Sequence, residues 1–179
     1  MRHLLDVDEL TPGDVETILA RAAEFRELLD EGAPVPSLLD RRRVALLFAE
    51  PSTRTRLSFE IAAGTLGAQA LVIDPGGSSL VKGESLADTA RTLDALGVNV
   101  LVLRHHRAGA AWVAARHFGG SVVNAGDGWH AHPTQALLDL MTLRRAFGGG
   151  AAQGTGLAGR KIVIVGDLRH SRVARSNLW

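Results

Sequence analysis

Five residues, Ser52-Thr53-Arg54-Thr55-Arg56, carry three hydroxyls and two guanidiniums directly before the helix-like run Leu57-Ser58-Phe59-Glu60-Ile61. They follow Pro51 and the apolar run Val44-Ala45-Leu46-Leu47-Phe48, so a strand should end there and a helix begin, with Ser52 as its N-cap. The first turn of a helix offers N–H groups without intrahelical partners and the positive end of the helix dipole, which favours a bound oxyanion. Arg54 stands where a planar fork could grip a phosphate through two parallel hydrogen bonds. The same residues also suit an ordinary capped helix start, with Arg56 paired to Glu60 and Arg54 in solvent. Two more basic clusters recur at similar turns. Arg104-His105-His106-Arg107 closes an apolar run, so that Arg104 either points into a crevice or belongs to a solvated basic turn. His132-Pro133-Thr134-Gln135 opens a helix, with His132 and Gln135 three apart and able to face one ligand. In the loop from Gly76 to Glu84, Ser79 and Lys82 could bring a cation to a phosphate, or form a mobile surface turn.

These groups need a frame, and the hydrophobic pattern predicts one. Thr11, Pro12 and Asp14 read as cap, first helical residue and capping partner of a helix to about Leu29, whose stripe is Val15, Ile18, Leu19, Ala22 and Leu28. Arg43 to Phe48 reads as a strand covered on both faces, and the following helix ends at Gly67. Strands at Gln69–Ile73, Val98–Leu103 and Ser121–Asn124 alternate with helices at about Glu84–Leu96, Ala108–His117 and His132–Ala146. Such alternation specifies an α/β protein with a parallel sheet flanked by helices. Residues 148–156 are Gly-rich and read as a linker, which makes 1–147 one domain. Lys161 to Asp167 reads as a fresh buried strand and Ser171 to Trp179 as the start of its helix, so 157–179 would be the first βα piece of a second α/β domain that does not finish.

Composition narrows the function classes. Among 179 residues, 46% hydrophobic and 22% charged suit a soluble globular chain with a real core, and a formal net charge of +1 gives no polyanion-binding surface. We therefore expect no nucleic-acid partner. The absence of cysteine excludes disulfides, thiolate metal sites and a Cys nucleophile. The start Met1 to Glu9 turns acidic early and has no long apolar core, so no signal peptide is expected, no run approaches a membrane span, and a cytoplasmic location is the default. His130 with His132, and His105 with His106, lack a carboxylate at ligand spacing, so no metal is expected. Lys82 is followed by Gly83-Glu84, which breaks the P-loop pattern, and the lone Gly after Val163-Ile164-Val165 is weak evidence for a dinucleotide.

Taken together and in order, five segments resemble the aspartate and ornithine carbamoyltransferases: Pro51 to Arg56, Ser79 to Ser85, Arg104-His105, His132 to Gln135, and Val165 to Arg172. Lys82 and Thr134 look like the aspartate branch. Ala49, His106 and Trp129 depart from the family pattern without touching these residues. The resemblance implies transfer of the carbamoyl group from carbamoyl phosphate to the amine of L-aspartate, a step of pyrimidine biosynthesis, with no cofactor. It also implies roles. Ser52, Thr53, Arg54 and Thr55 would hold the phosphate; Thr55, Arg104 and His132 would donate to the carbonyl oxygen; Gln135 would fix the carbamoyl NH2; Arg172 would clamp an aspartate carboxylate. Ser79 and Lys82 would reach the site of a neighbouring subunit, in a homotrimer with shared sites and possible regulatory or pyrimidine-pathway partners. On this reading the chain holds mainly the carbamoyl-phosphate half and binds that substrate with deficient turnover, leaving apolar surface exposed after Gly156. Ornithine carbamoyltransferase, or a non-catalytic carbamoyl-phosphate-binding or docking module, are the alternatives.

Overall fold

The structure, a computed structural model, describes residues 2–73, 84–147 and 157–178. Helix α1 (Pro12–Asp30) starts with the expected reciprocal cap: the Asp14 N–H donates to the Thr11 hydroxyl at 3.1 Å and the Thr11 N–H to Asp14 Oδ2 at 3.0 Å. Of its predicted stripe only Leu19 is fully buried, the other four residues being half-buried, and Arg144 ties the helix down by donating to Glu16 at 2.8 Å. Strand β1 (Arg43–Phe48) leads into α2 (Thr53–Thr65), then β2 (Gln69–Ile73), α3 (Leu86–Ala95), β3 (Val100–His105), α4 (Ala110–His117), β4 (Ser121–Asp127), α5 (Pro133–Ala146) and the short α6 (Arg172–Ser176). Gly67 closes α2 at φ +82°, a conformation that favours glycine, and the Ala68 N–H then bonds back to the Ala63 carbonyl at 2.9 Å.

The four strands of the described residues are all parallel, in the order β2-β1-β3-β4. Parallel strands buried on both faces must be apolar at successive positions, and β1 is buried from Val44 to Phe48. Its alternate residues feed two cores. Ala45 and Leu47 join Leu101, Leu103, Ala90, Leu93 and Ala114 under α3 and α4. Val44, Leu46 and Phe48 join Val102 and Ala63 under α2. The N-terminal segment lengthens the sheet: the Leu4 N–H donates to the Val122 carbonyl and the Leu4 carbonyl accepts from the Asn124 N–H, both at 2.9 Å. Nothing in the periodicity of residues 2–8 announces this pairing.

The strand order decides where a ligand could sit. From β1 the chain moves out to β2 and then crosses back over β1 to β3, so the connections after β1 and β3 leave in opposite directions. A crevice opens between the carboxyl ends of two such neighbours. Register puts Phe48 beside Arg104 at that point.

One predicted strand is absent. Residues 161–165 form no ladder with any described strand, and Val163 and Val165 are 72% and 90% exposed. A strand is made by its neighbour's hydrogen bonds as much as by its own β-branched residues, and here no neighbour is present among the described residues. The apolar residues expected to be exposed after Gly156 are so: Ile162, Val163, Val165, Leu168 and Leu178. The linker reading of 148–156 lies outside the described residues.

Candidate active site

The end of β1 and the start of α2 build the first wall. Ser52 occupies the N-cap position in an extended conformation, but its hydroxyl makes no capping bond, contrary to the sequence expectation; only its carbonyl accepts, from the Arg56 N–H at 3.1 Å. The α2 N-terminus is thereby left without a side-chain acceptor, and its first-turn N–H groups stay available. Nor, among the described residues, does the Arg56–Glu60 pair of the ordinary capped-helix alternative form. Arg54 has no carboxylate partner among the described residues, and it faces a cleft of about 750 Å³. Ser52 and Thr55 line that cleft from α2, Arg104 from β3, His132, Thr134 and Gln135 from the start of α5, and Arg172 from α6. Thr53 is the first residue of α2, exposed beside this set rather than lining it. Ser79 and Lys82 lie outside the described residues.

Sequence reasoning assigned nothing to Glu50, which organises the two half-buried guanidiniums. Its Oε2 accepts from Arg172 Nη2 at 2.8 Å and lies 3.2 Å from Arg104 Nε, at an angle that makes the second contact an ion pair without a hydrogen bond. Arg104 also reaches the Ala125 carbonyl at 3.4 Å and Arg172 the Gly128 carbonyl at 3.0 Å. Burial and the nearby Arg172 charge both push the Arg104 guanidinium below its usual pKa, and Glu50 opposes them. The available sequence signal was an acidic residue two positions after a strand and beside a basic motif.

The carboxyl end of β4 and the loop that follows it set His132. Asp127 is buried and gathers donors: the Gly109 N–H at 2.6 Å, Asn124 Nδ2 at 2.9 Å and the Ala131 N–H at 3.1 Å. Asn124, equally buried, also donates to the Leu5 carbonyl at 2.9 Å. Gly126 sits at φ +114°, and a Cβ there would lie 2.9 Å from Arg172 Nε and 3.3 Å from His132 Cδ2, so only glycine lets the loop pass this closely. His132 occupies the N-cap position of α5 without a side-chain capping bond; its N–H donates to Ser176 Oγ at 2.9 Å, and Thr134 Oγ1 lies 3.4 Å from its Nδ1. Burial, then the charges of Arg104 and Arg172, lower its pKa to about 4. The imidazole is therefore neutral at physiological pH, a hydrogen-bonding group rather than a cation.

That depression has a stability consequence. The unfolded chain takes up a proton at His132 near pH 6.5 and the folded chain only near 4, so this residue destabilises the fold progressively as pH falls through that window. We expect the stability difference between wild type and His132→Asn, followed by urea melts, to shrink from pH 7 to pH 4 by about 3 kcal/mol. A pH-independent difference would refute the assignment.

Among the described residues, no group of three or more His, Asp and Glu side chains is arranged to hold a metal ion. Nor is any described helix long and apolar enough to cross a membrane.

A family profile described as aspartate/ornithine carbamoyltransferase, carbamoyl-P binding domain, matches residues 2–145. The chain belongs to this family. Among curated relatives, the aspartate carbamoyltransferase catalytic subunit of Roseiflexus sp. (strain RS-1) is 50% identical over 178 residues, covering 99% of this chain and 54% of the relative. That of Synechococcus sp. (strain RCC307) is 51% identical over 183 residues, with coverage of 99% and 52%. Crystal structures of aspartate transcarbamoylase from Trypanosoma cruzi superpose on 99% of the chain. The complex with carbamoyl phosphate and aspartate does so with TM-score 0.89 and 35% identity, over 53% of its own length. The chain thus spans about half the length of the curated relatives it matches. The carbamoyltransferase family accounts for the parallel α/β architecture, and the matched residues 2–145 contain every described strand of the sheet.

Proposed function

We propose that this chain is the carbamoyl-phosphate half of an aspartate carbamoyltransferase and that the cleft at the β1/β3 crevice is its substrate site. The observation that carries the reading is the convergence of three guanidiniums, a helix N-terminus and a neutral imidazole on one cleft, with Gln135 beside them. Transfer of a carbamoyl group begins with the aspartate amine adding its lone pair to the carbonyl carbon. The carbonyl oxygen gains negative charge, then the C–O bond to phosphate breaks and phosphate leaves with the electron pair. The amine loses a proton, and N-carbamoyl-L-aspartate remains. Both charges that develop are negative, so preorganised donors are what the reaction needs.

In this reading Ser52, Thr53, Arg54, Thr55 and the first turn of α2 hold the phosphate. Thr55, Arg104 and His132 donate to the carbonyl oxygen, and Gln135 accepts from the carbamoyl NH2. A neutral His132 suits the task of donor, since it needs no proton uptake. Arg172 takes an aspartate carboxylate and must part from Glu50 to do so. Ser79 and Lys82 act in the site of an adjacent subunit, in a cytoplasmic homotrimer. Residues 1–147 form the carbamoyl-phosphate domain, 148–156 link it, and 157–179 open the aspartate side.

Phosphate release from carbamoyl phosphate, measured with aspartate, with ornithine and with neither, alongside calorimetric titration of carbamoyl phosphate alone, tests this. We expect saturable binding of carbamoyl phosphate and, where turnover occurs, dependence on aspartate. Absence of binding, or release that needs ornithine, contradicts the proposal.

A further inference from the structure

Gln135 and Asp139 stand one turn apart on α5, and both line the cleft. Gln135 Nε2 donates to Asp139 Oδ1 at 2.9 Å, and Asn177 Nδ2, just beyond α6, donates to Asp139 Oδ2 at 2.9 Å. A side-chain amide has a donor end and an acceptor end, and half a turn of its last torsion exchanges them. A carboxylate only accepts. Beside Asp139 the amide must therefore turn its NH2 to the carboxylate, which leaves the carbonyl oxygen as the end offered to a ligand. Asn177 occupies the other carboxylate oxygen and so holds the carboxylate in place. A carboxylate on an anion-binding cleft opposes the anion through its charge. Phosphate binding alone thus gives no reason for Asp139 to be there, whereas setting the sense of Gln135 does.

The geometry points to Asp139, anchored by Asn177, as a positioning residue that fixes Gln135 as a hydrogen-bond acceptor, so that the cleft selects a reacting group bearing an N–H donor over one bearing a methyl in the same place. Asp139 touches no reacting atom; it acts through Gln135. This rests on the carbamoyl-phosphate reading of the cleft.

The test is calorimetric titration of the full chain with three probes. Phosphonoacetamide carries an amide NH2, 2-oxopropylphosphonate carries a methyl at the same position, and inorganic phosphate reports the anion site alone. We expect wild type to prefer the amide over the methyl ketone by about 10-fold, the loss from one unmet hydrogen bond in a partly buried site. In Asp139→Asn, position 139 can meet Gln135 with either end, and the preference should fall below about 3-fold. Loss of the carboxylate's charge acts equally on both phosphonates, and a merely structural role would weaken both equally, so the ratio isolates orientation. Asn177→Ala keeps the carboxylate but frees it, and an intermediate ratio is expected. That variant decides the matter if Asp139→Asn fails to fold by circular dichroism. An unchanged ratio in the folded variants overturns the proposal, as does equal binding of the two phosphonates by wild type while phosphate still binds. If wild type binds none of the three probes, the carbamoyl-phosphate reading itself falls, and this proposal with it.

Discussion

Replacing Arg54 by alanine should weaken binding of carbamoyl phosphate by about 100-fold or more, the value of a charge-assisted, two-pronged contact to phosphate. The melting temperature should stay within about 2 °C, because no fold-stabilising partner is lost. The contrast follows from the ion pairs. Arg104 and Arg172 are both held by Glu50, whereas Arg54 has no carboxylate partner among the described residues and lines the cleft at the α2 N-terminus. An incoming phosphate displaces nothing at Arg54 and adds to a dipole already aligned to receive it. Arg54→Lys should recover only part of the loss, since an ammonium offers a point charge without the planar fork. Calorimetry gives the affinity and thermal denaturation the stability. A loss below about 3-fold would remove Arg54 from the site.

The second large effect is expected in stability. Glu50→Gln leaves two guanidiniums, 13% and 14% exposed, facing one neutral amide. Glu50 is itself 34% exposed, so solvent screens part of the charge left uncompensated, and the cost is about 2 kcal/mol, or a fall in melting temperature of roughly 4 to 8 °C for a chain of this size. Inorganic phosphate, bound at Arg54 in the same cleft, should restore more stability to this variant than to wild type, because its charge offsets part of the repulsion between Arg104 and Arg172 that Glu50 otherwise neutralises. Thermal melts with and without phosphate provide both readings. Unchanged melting in Glu50→Gln, or equal stabilisation of the two proteins by phosphate, would show that Glu50 does not govern the pair.

Glu50 also shows how far local pattern could reach. The anion-binding start of α2 was legible because the ingredients of a helix N-terminus, a preceding buried strand, a short polar cap and a following amphipathic run, are all local in sequence. Glu50 was not, because its partners Arg104 and Arg172 lie far along the chain, and an acidic residue after a strand has no partner until the sheet is assembled. Asn124 and Asp127 are a similar case. Their satisfied burial depends on the Leu5 carbonyl and the Gly109 N–H, which topology brings to them. The cap bond expected of Ser52 failed for a different reason: position at a helix start permits the bond without requiring it.

By itself, the sequence determined the α/β class, the run of strands from Arg43 through Ser121, and the basic segments at their ends, since apolar period, turn residues and caps act over a few residues. The strand order β2-β1-β3-β4 was decided by tertiary structure, and with it the fact that Arg54, Arg104, His132, Gln135 and Arg172 share one cleft. So were the depressed His132 pKa, which needs burial beside two guanidiniums, and the failure of 161–165 to become a strand. Hydrophobic pattern specifies which face of an element is covered, but a β-ladder, an ion pair or a desolvated imidazole exists only when a second segment, distant in sequence, supplies the other half.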